Sequence, residues 1–176
     1  DENFYSFFES KYIDSLDQTI TLIEGSGNTT TIQPYAQVKY RPTATTTLVG
    51  GLHATYLRLN NTYSIEPRLS LTQKIGKTQL FSFGYGLHGQ YLPLGSYFTQ
   101  FTRANGSVYF PNKNVEMVQS HHLVLSYEIG FLKYYKFKIE PYFQYLTKLP
   151  VSANPESTYM VLNERSGYAK DSLVNK

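Results

Sequence analysis

Ile65-Glu66-Pro67-Arg68-Leu69-Ser70-Leu71-Thr72 is followed by a tight stretch, Ile75-Gly76-Lys77, and then by Phe81-Ser82-Phe83-Gly84-Tyr85-Gly86-Leu87-His88. In the first run Ile65, Pro67, Leu69 and Leu71 share one parity, and Glu66, Arg68, Ser70 and Thr72 the other. In the second run Phe81, Phe83, Tyr85 and Leu87 oppose Ser82, Gly84, Gly86 and His88. Successive side chains of a strand point to opposite faces. Both runs therefore predict strands with one apolar face, joined as a hairpin through Gly76.

The same alternation extends outward in both directions. Upstream, Thr46 to Leu59 sets Leu48, Leu52, Ala54 and Tyr56 against His53 and Thr55, with Gly50-Gly51 interrupting, and Asn60-Asn61-Thr62 forms a short link. Earlier still, Ile32, Pro34, Ala36, Val38 and Tyr40 alternate with Gln33, Tyr35, Gln37, Lys39 and Arg41, and Arg41-Pro42-Thr43-Ala44 reads as a turn. Downstream, Leu123, Leu125, Tyr127 and Ile129 oppose His122, Ser126 and Glu128, with Val124 the exception. A compact turn is expected near Lys133, after which Phe137, Ile139, Pro141, Phe143 and Tyr145 oppose Lys136, Lys138, Glu140, Tyr142 and Gln144. Pro34, Pro67 and Pro141 each fall on an apolar parity. Proline cannot donate to a ladder, so these three belong at strand ends or bulges.

Runs of roughly 10–13 residues exceed the ~5–6 of ordinary soluble strands and match the ~9–11 that a tilted strand needs to cross hydrocarbon. Turns near Pro42, Gly76 and Lys133 lie on one side, while the long segments 91–117 and 147–176 fall on the other. Short turns on one side and long loops on the other are the outer-membrane arrangement. The expected fold is all-β: an antiparallel up-and-down meander of six to seven long strands, forming an incomplete piece of a transmembrane β-barrel wall. Residues 1–28 read as mostly loop with a short strand near Thr19–Ile23, residues 29–146 as six wall strands with an extracellular loop over about 91–117, and residues 147–176 as an extracellular loop leading to a missing strand.

Composition agrees. Charged residues are 16% of the 176-residue chain, below the roughly one quarter of soluble domains, and aromatics reach the same 16% through 17 Tyr and 11 Phe. No window holds the ~18 consecutive apolar residues of a membrane helix. The negative mean hydropathy leaves a barrel open, because only alternate residues of a barrel strand meet lipid. A net charge of +3, scattered along the chain, argues against a nucleic-acid partner, and the absence of cysteine removes disulfides and thiolate metal sites. Asp1 opens the chain with neither Met nor a leader, so a signal peptide has been removed or the chain starts inside something longer.

Several stretches resemble, in order, the barrel of TonB-dependent receptors of the Bacteroidetes type, whose plug follows a carboxypeptidase-regulatory-like domain. They are Tyr35-Ala36-Gln37-Val38-Lys39-Tyr40-Arg41-Pro42-Thr43, Ser64-Ile65-Glu66-Pro67-Arg68-Leu69 and Phe83-Gly84-Tyr85-Gly86-Leu87-His88-Gly89-Gln90. Pro111-Asn112-Lys113-Asn114, Ser120-His121-His122-Leu123-Val124-Leu125-Ser126-Tyr127 and Glu140-Pro141-Tyr142-Phe143-Gln144-Tyr145-Leu146 continue the series, and Leu173-Val174-Asn175-Lys176 closes it. The resemblance implies a bacterial outer-membrane location and a barrel of ~22 strands closed by a plug. It further implies uptake of a small-molecule, glycan or peptide nutrient energised by TonB. Its partners would be outer-membrane lipid, the plug and further strands of the same protein, and TonB through an N-terminal region that 176 residues do not accommodate. The chain then represents an internal segment cut at both ends. A porin or adhesin barrel, or a soluble secreted all-β ligand-binding module, are the competing readings.

No enzyme is expected, and no cofactor or metal. His121-His122 would diverge to opposite faces of a strand and so cannot chelate one ion. Glu66 with Arg68, and Glu128 with Glu140, lack any feature that holds two carboxylates at a catalytic separation. The aromatic loop residues Tyr91, Tyr97, Phe98, Phe101, Tyr109 and Phe110 are the candidates for ligand contact, set against packing on neighbouring loops or an aromatic girdle. Lys39, His53, Glu66, Arg68, His88, Glu128, Lys136, Lys138 and Glu140 are expected to face the lumen.

Overall fold

The computed structural model describes residues 1–131, 134–164 and 168–176. The strands are β1 (Glu2–Ile13), β2 (Gln18–Ile32), β3 (Tyr35–Tyr40), β4 (Thr46–Leu57), β5 (Thr62–Ile75), β6 (Gln79–Gln90), β7 (Phe101–Thr102), β8 (Val108–Tyr109), β9 (Val118–Phe131), β10 (Tyr135–Ile139), β11 (Tyr142–Thr147), β12 (Pro150–Ser152) and β13 (Leu173–Asn175). Strands hold 64% of the chain, and no α-helix occurs among the described residues. The fold is all-β, as the alternation predicts. Most of it is one antiparallel sheet in the order β1-β2-β4-β5-β6-β9-β10, with β3 on β4 and β11 on β9. Among the described residues the sheet does not close into a barrel.

Two of the prolines explain the apparent extra strands. β2 and β3 both pair with β4, and Ile32↔Tyr56 and Tyr35↔His53 share one offset, so no register slips at Gln33-Pro34. The Pro34 carbonyl still accepts the Ala54 N–H at 3.0 Å, while its ring nitrogen has no hydrogen to donate. β10 and β11 repeat the pattern on β9 across Glu140-Pro141, where the Leu125 N–H reaches the Pro141 carbonyl at 3.1 Å. Pro67 sits inside β5 at the point where pairing with β6, which runs from Ile75 to Arg68, has just ended. The turn at Gly76 has φ +62°, a conformation that favours glycine. Thr43 Oγ1 accepts the N–H groups of Thr45 and Thr46, fixing the turn after Pro42. The turn expected near Lys133 lies outside the described residues.

Residues 1–28 differ from the expectation of mostly loop. β1 and β2 form a long hairpin with a bulge at Glu9/Ser10. Because β2 meets β4 only through Thr31↔Leu57 and Ile32↔Tyr56, at the end of β4, the hairpin projects beyond the six-strand wall on the side of the long loops. Its period is masked because both faces are aromatic. Tyr5 and Phe7 pack on Phe98, with ring centroids 4.8 and 6.1 Å away, while Phe4 and Phe8 on the other face are exposed. Gly25 and Gly27, which read as loop residues, lie opposite Phe7 and Tyr5.

A Cβ at Gly25 would come within 2.3 Å of the Phe98 ring. Gly25→Val is therefore expected to destabilise the chain by about 1–3 kcal/mol, the usual cost of overpacking. In a Phe98→Ala background the loss should be smaller, because the two side chains share one space. Urea titration of the four variants measures this, and equal losses in both backgrounds would refute the steric explanation.

The described residues of the long connections carry regular structure. Residues 91–117 carry a 3-10 turn at Leu94–Phe98 and the β7–β8 hairpin, and residues 147–176 carry β12–β13 and a second 3-10 turn at Val161–Asn163. Together they build the buried cluster of the chain: Leu57, Leu92, Tyr97, Val115, Met117, Val118, Val161, Ala169 and Leu173. The core thus sits in a cap at one end of the sheet. Among the described residues no second sheet covers the wall itself.

Candidate functional site

Register assigns every wall residue to a face. One row across the sheet reads Gln37, Gly51, Arg68, Gly86, His122 and Gln144, and the next reads Lys39, Val49, Ser70, Gly84, Val124 and Tyr142. The opposite face carries Val38, Gly50, Leu69, Tyr85, Leu123 and Phe143 along one row. All nine polar residues expected to share a face do so, because their strands pair without a slip.

Four of the nine come together. Glu66 is 2% exposed. Its carboxylate accepts a hydrogen bond from Thr55 Oγ1 at 3.0 Å and meets His53 Nδ1 at 2.8 Å and Arg68 NH2 at 3.4 Å. Its Oε1 also lies beside Gly89, in the stretch where β5 and β6 are not paired. A side chain thus fills a gap in the ladder. Arg68 extends the network to His88 at 3.5 Å, and the His88 ring stands edge-on to His122 with centroids 4.8 Å apart. Ser120 and Tyr142 hold the two nitrogens of His122 at 2.7 and 2.6 Å. Thr55, Ser120 and His122 were not among the nine, although their parity along β4 and β9 marks the same face.

The remaining residues are arranged in pairs or alone. Glu128 accepts from Lys136 at 2.8 Å, and Glu140 pairs with Lys138, so each carboxylate has its own lysine. Lys39 lies on the same face with no ion pair among the described residues. His121 and His122 diverge as expected: His121 meets the Tyr85 hydroxyl at 3.0 Å on the apolar face, and His122 belongs to the polar one.

The six loop aromatics do not form one ligand surface. Tyr97 is 2% exposed and belongs to the cap core; its hydroxyl accepts the Leu92 N–H at 3.1 Å, and burial pushes the phenol up to about 12. Tyr91 and Phe98 pack against the same cluster. Phe101 and Tyr109 face each other across the β7–β8 hairpin at 6.0 Å, with Arg103 stacked 4.3 Å from the Tyr109 ring centre. Only Phe110 is strongly exposed, and it borders a small cavity of about 220 Å3 with Tyr97 and Phe98. Packing, rather than display, governs most of these rings.

Two asparagines, the buried Asn112 and the half-buried Asn175, tie the cap together. Asn112 is fully buried; it donates to the Asp171 carbonyl and accepts the Leu173 N–H, both at 2.8 Å. Asn175 accepts the Glu116 N–H at 2.9 Å and donates to the Lys148 carbonyl at 2.8 Å. Comparison with protein-family models, curated proteins and solved structures finds no match to this chain.

Proposed function

We propose that this chain is part of the wall and outer loop cap of a β-barrel in a bacterial outer membrane, from a transporter of the TonB-dependent kind. The observation that carries this reading is a single-layer sheet with two opposite faces. Val38, Leu52, Ile65, Leu69, Leu125, Ile139 and Phe143 are exposed on one face, while charged and hydroxyl groups pair on the other. Water does not tolerate a contiguous apolar sheet face of this size without a partner. Lipid tails would cover it.

The apolar face also changes along the strands. Tyr56, Tyr63 and Tyr145 stand toward the loop end and Phe81, Tyr127 and Phe137 toward the turn end, while the middle rows mix Leu69, Leu71, Leu123 and Leu125 with Phe83, Tyr85 and Phe143. Rings at both ends of the apolar face match the aromatic girdles of membrane barrels. Wall strands of 12–14 residues are long enough for a tilted crossing. In this reading the polar face borders the lumen and meets a plug outside these residues. The loop cap frames the outer vestibule, and TonB supplies the energy from the periplasm. The transporter assignment rests on the ordered sequence resemblance.

The chain has no Trp, so a single introduced Trp reports cleanly on its surroundings. With the chain folded in lipid vesicles, Phe83→Trp should be strongly quenched by acyl-brominated lipid, and Ser82→Trp on the other face should not. Equal quenching at the two positions would remove the membrane reading. A plug domain encoded upstream of Asp1 in the same reading frame is the expected gene structure for the transporter reading, and a reading frame without one would overturn that part alone.

A further inference from the structure

A cleft of about 710 Å3 lies between the inner face of the β1–β2 hairpin and residues 99–102 and 168–170. It is built rather than incidental. An isolated bridge joins Ile23 to Thr99, the Gln100 N–H reaches the Leu22 carbonyl at 3.0 Å, and the Gln100 side chain donates to the Thr21 carbonyl at 3.3 Å. Thr99 in turn donates to the Ala169 carbonyl at 2.6 Å, which secures the far wall. The volume falls in the range of small-molecule sites, roughly 300–1,000 Å3.

The lining divides by chemistry. Ile13, Ile20, Leu22 and Phe101 supply apolar walls, and the charged groups are Glu9, Lys11 and Lys170. Two of these already have neighbours: Glu9 faces the Tyr168 hydroxyl, and Lys170 lies 3.5 Å from Glu164. Lys11 makes no ion pair among the described residues. A cleft with apolar walls and one uncommitted ammonium group matches a ligand with an apolar body and one negative charge.

We propose that this cleft binds an amphipathic monoanion, its apolar body against Ile20, Leu22 and Phe101 and its charged head at Lys11. The inference goes beyond the wall reading and stands whether or not the sheet lies in a bilayer, because no cleft residue pairs with a wall strand; those from β2 lie far from Thr31 and Ile32, where β2 meets β4.

The test uses two fluorescent probes sharing one ring system: 8-anilinonaphthalene-1-sulfonate, an anion, and neutral N-phenyl-1-naphthylamine. Each is titrated into the full chain in non-ionic detergent, with the micelle signal subtracted. The anion should bind saturably. Lys11→Gln should weaken it roughly fivefold, the worth of one partly exposed ion pair, and leave the neutral probe unchanged. Lys11→Arg should retain the anion, and Ile20→Asn should weaken both probes. Unchanged anion affinity in Lys11→Gln would overturn the proposal, as would an equal loss for the neutral probe.

Discussion

Replacing Leu125 with Arg should destabilise the chain folded in phosphatidylcholine vesicles by about 2–4 kcal/mol, the cost of a cation near the midplane on a lipid-facing strand position. Leu125 lies near the middle of β9, is 37% exposed, and stands beside Phe83 on the apolar face. The size of the effect discriminates between solvents. A surface leucine of a water-soluble sheet exchanges for Arg within about 0.5 kcal/mol. Ser82→Arg, on the polar face beside Thr72 and Ser126, is the matched control, with a loss below about 1 kcal/mol expected where the inner face is aqueous. Denaturant titration in vesicles measures both. A neutral Leu125→Arg, or a control equally costly, would mean that lipid does not cover this face.

Glu66→Ala should cost about 3 kcal/mol, at the lower end of what removing one partner of a buried ion pair costs. The carboxylate is buried and serves three side chains at once, His53, Thr55 and Arg68. Alanine would leave the Thr55 hydroxyl without its acceptor and open the unpaired stretch beside Gly89 to water. The lower end applies because Arg68 is half exposed and can turn to water. Glu66→Gln keeps one carbonyl acceptor and should lose less than half as much. The same titrations give the values, and hydrogen exchange at Gly89 should rise in the alanine variant alone. An unchanged Gly89 rate would show that the seam is held by something other than the carboxylate.

Most of the wall was legible in the sequence because a strand writes its two faces into neighbouring residues. Ile65 through Thr72 and Phe81 through His88 needed no partner to reveal which side was apolar, and their register preserved that assignment across the sheet. Even the prolines were readable in part: their need for positions without a donated hydrogen bond is met at 34, 67 and 141. The N-terminal hairpin was hidden because Phe4, Tyr5, Phe7 and Phe8 put rings on both sides and so erase the period. The loop aromatics could not be sorted either, since Tyr97 and Phe110 have similar chemistry and differ only in burial.

Over the six wall strands the sequence by itself determined strand identity and facial polarity, and it placed the turns after Pro42 and at Gly76, all of which depend on residues a few positions apart. The tertiary structure decided the rest: that the hairpin folds onto Phe98, that Glu66 fills an opening in the ladder, and that the long loops close over a common core. Those outcomes rest on contacts such as the Ala169 N–H on Ser96 Oγ, 73 residues apart. No local period encodes such a pairing, because it exists only once the intervening sheet has brought both loops to the same end.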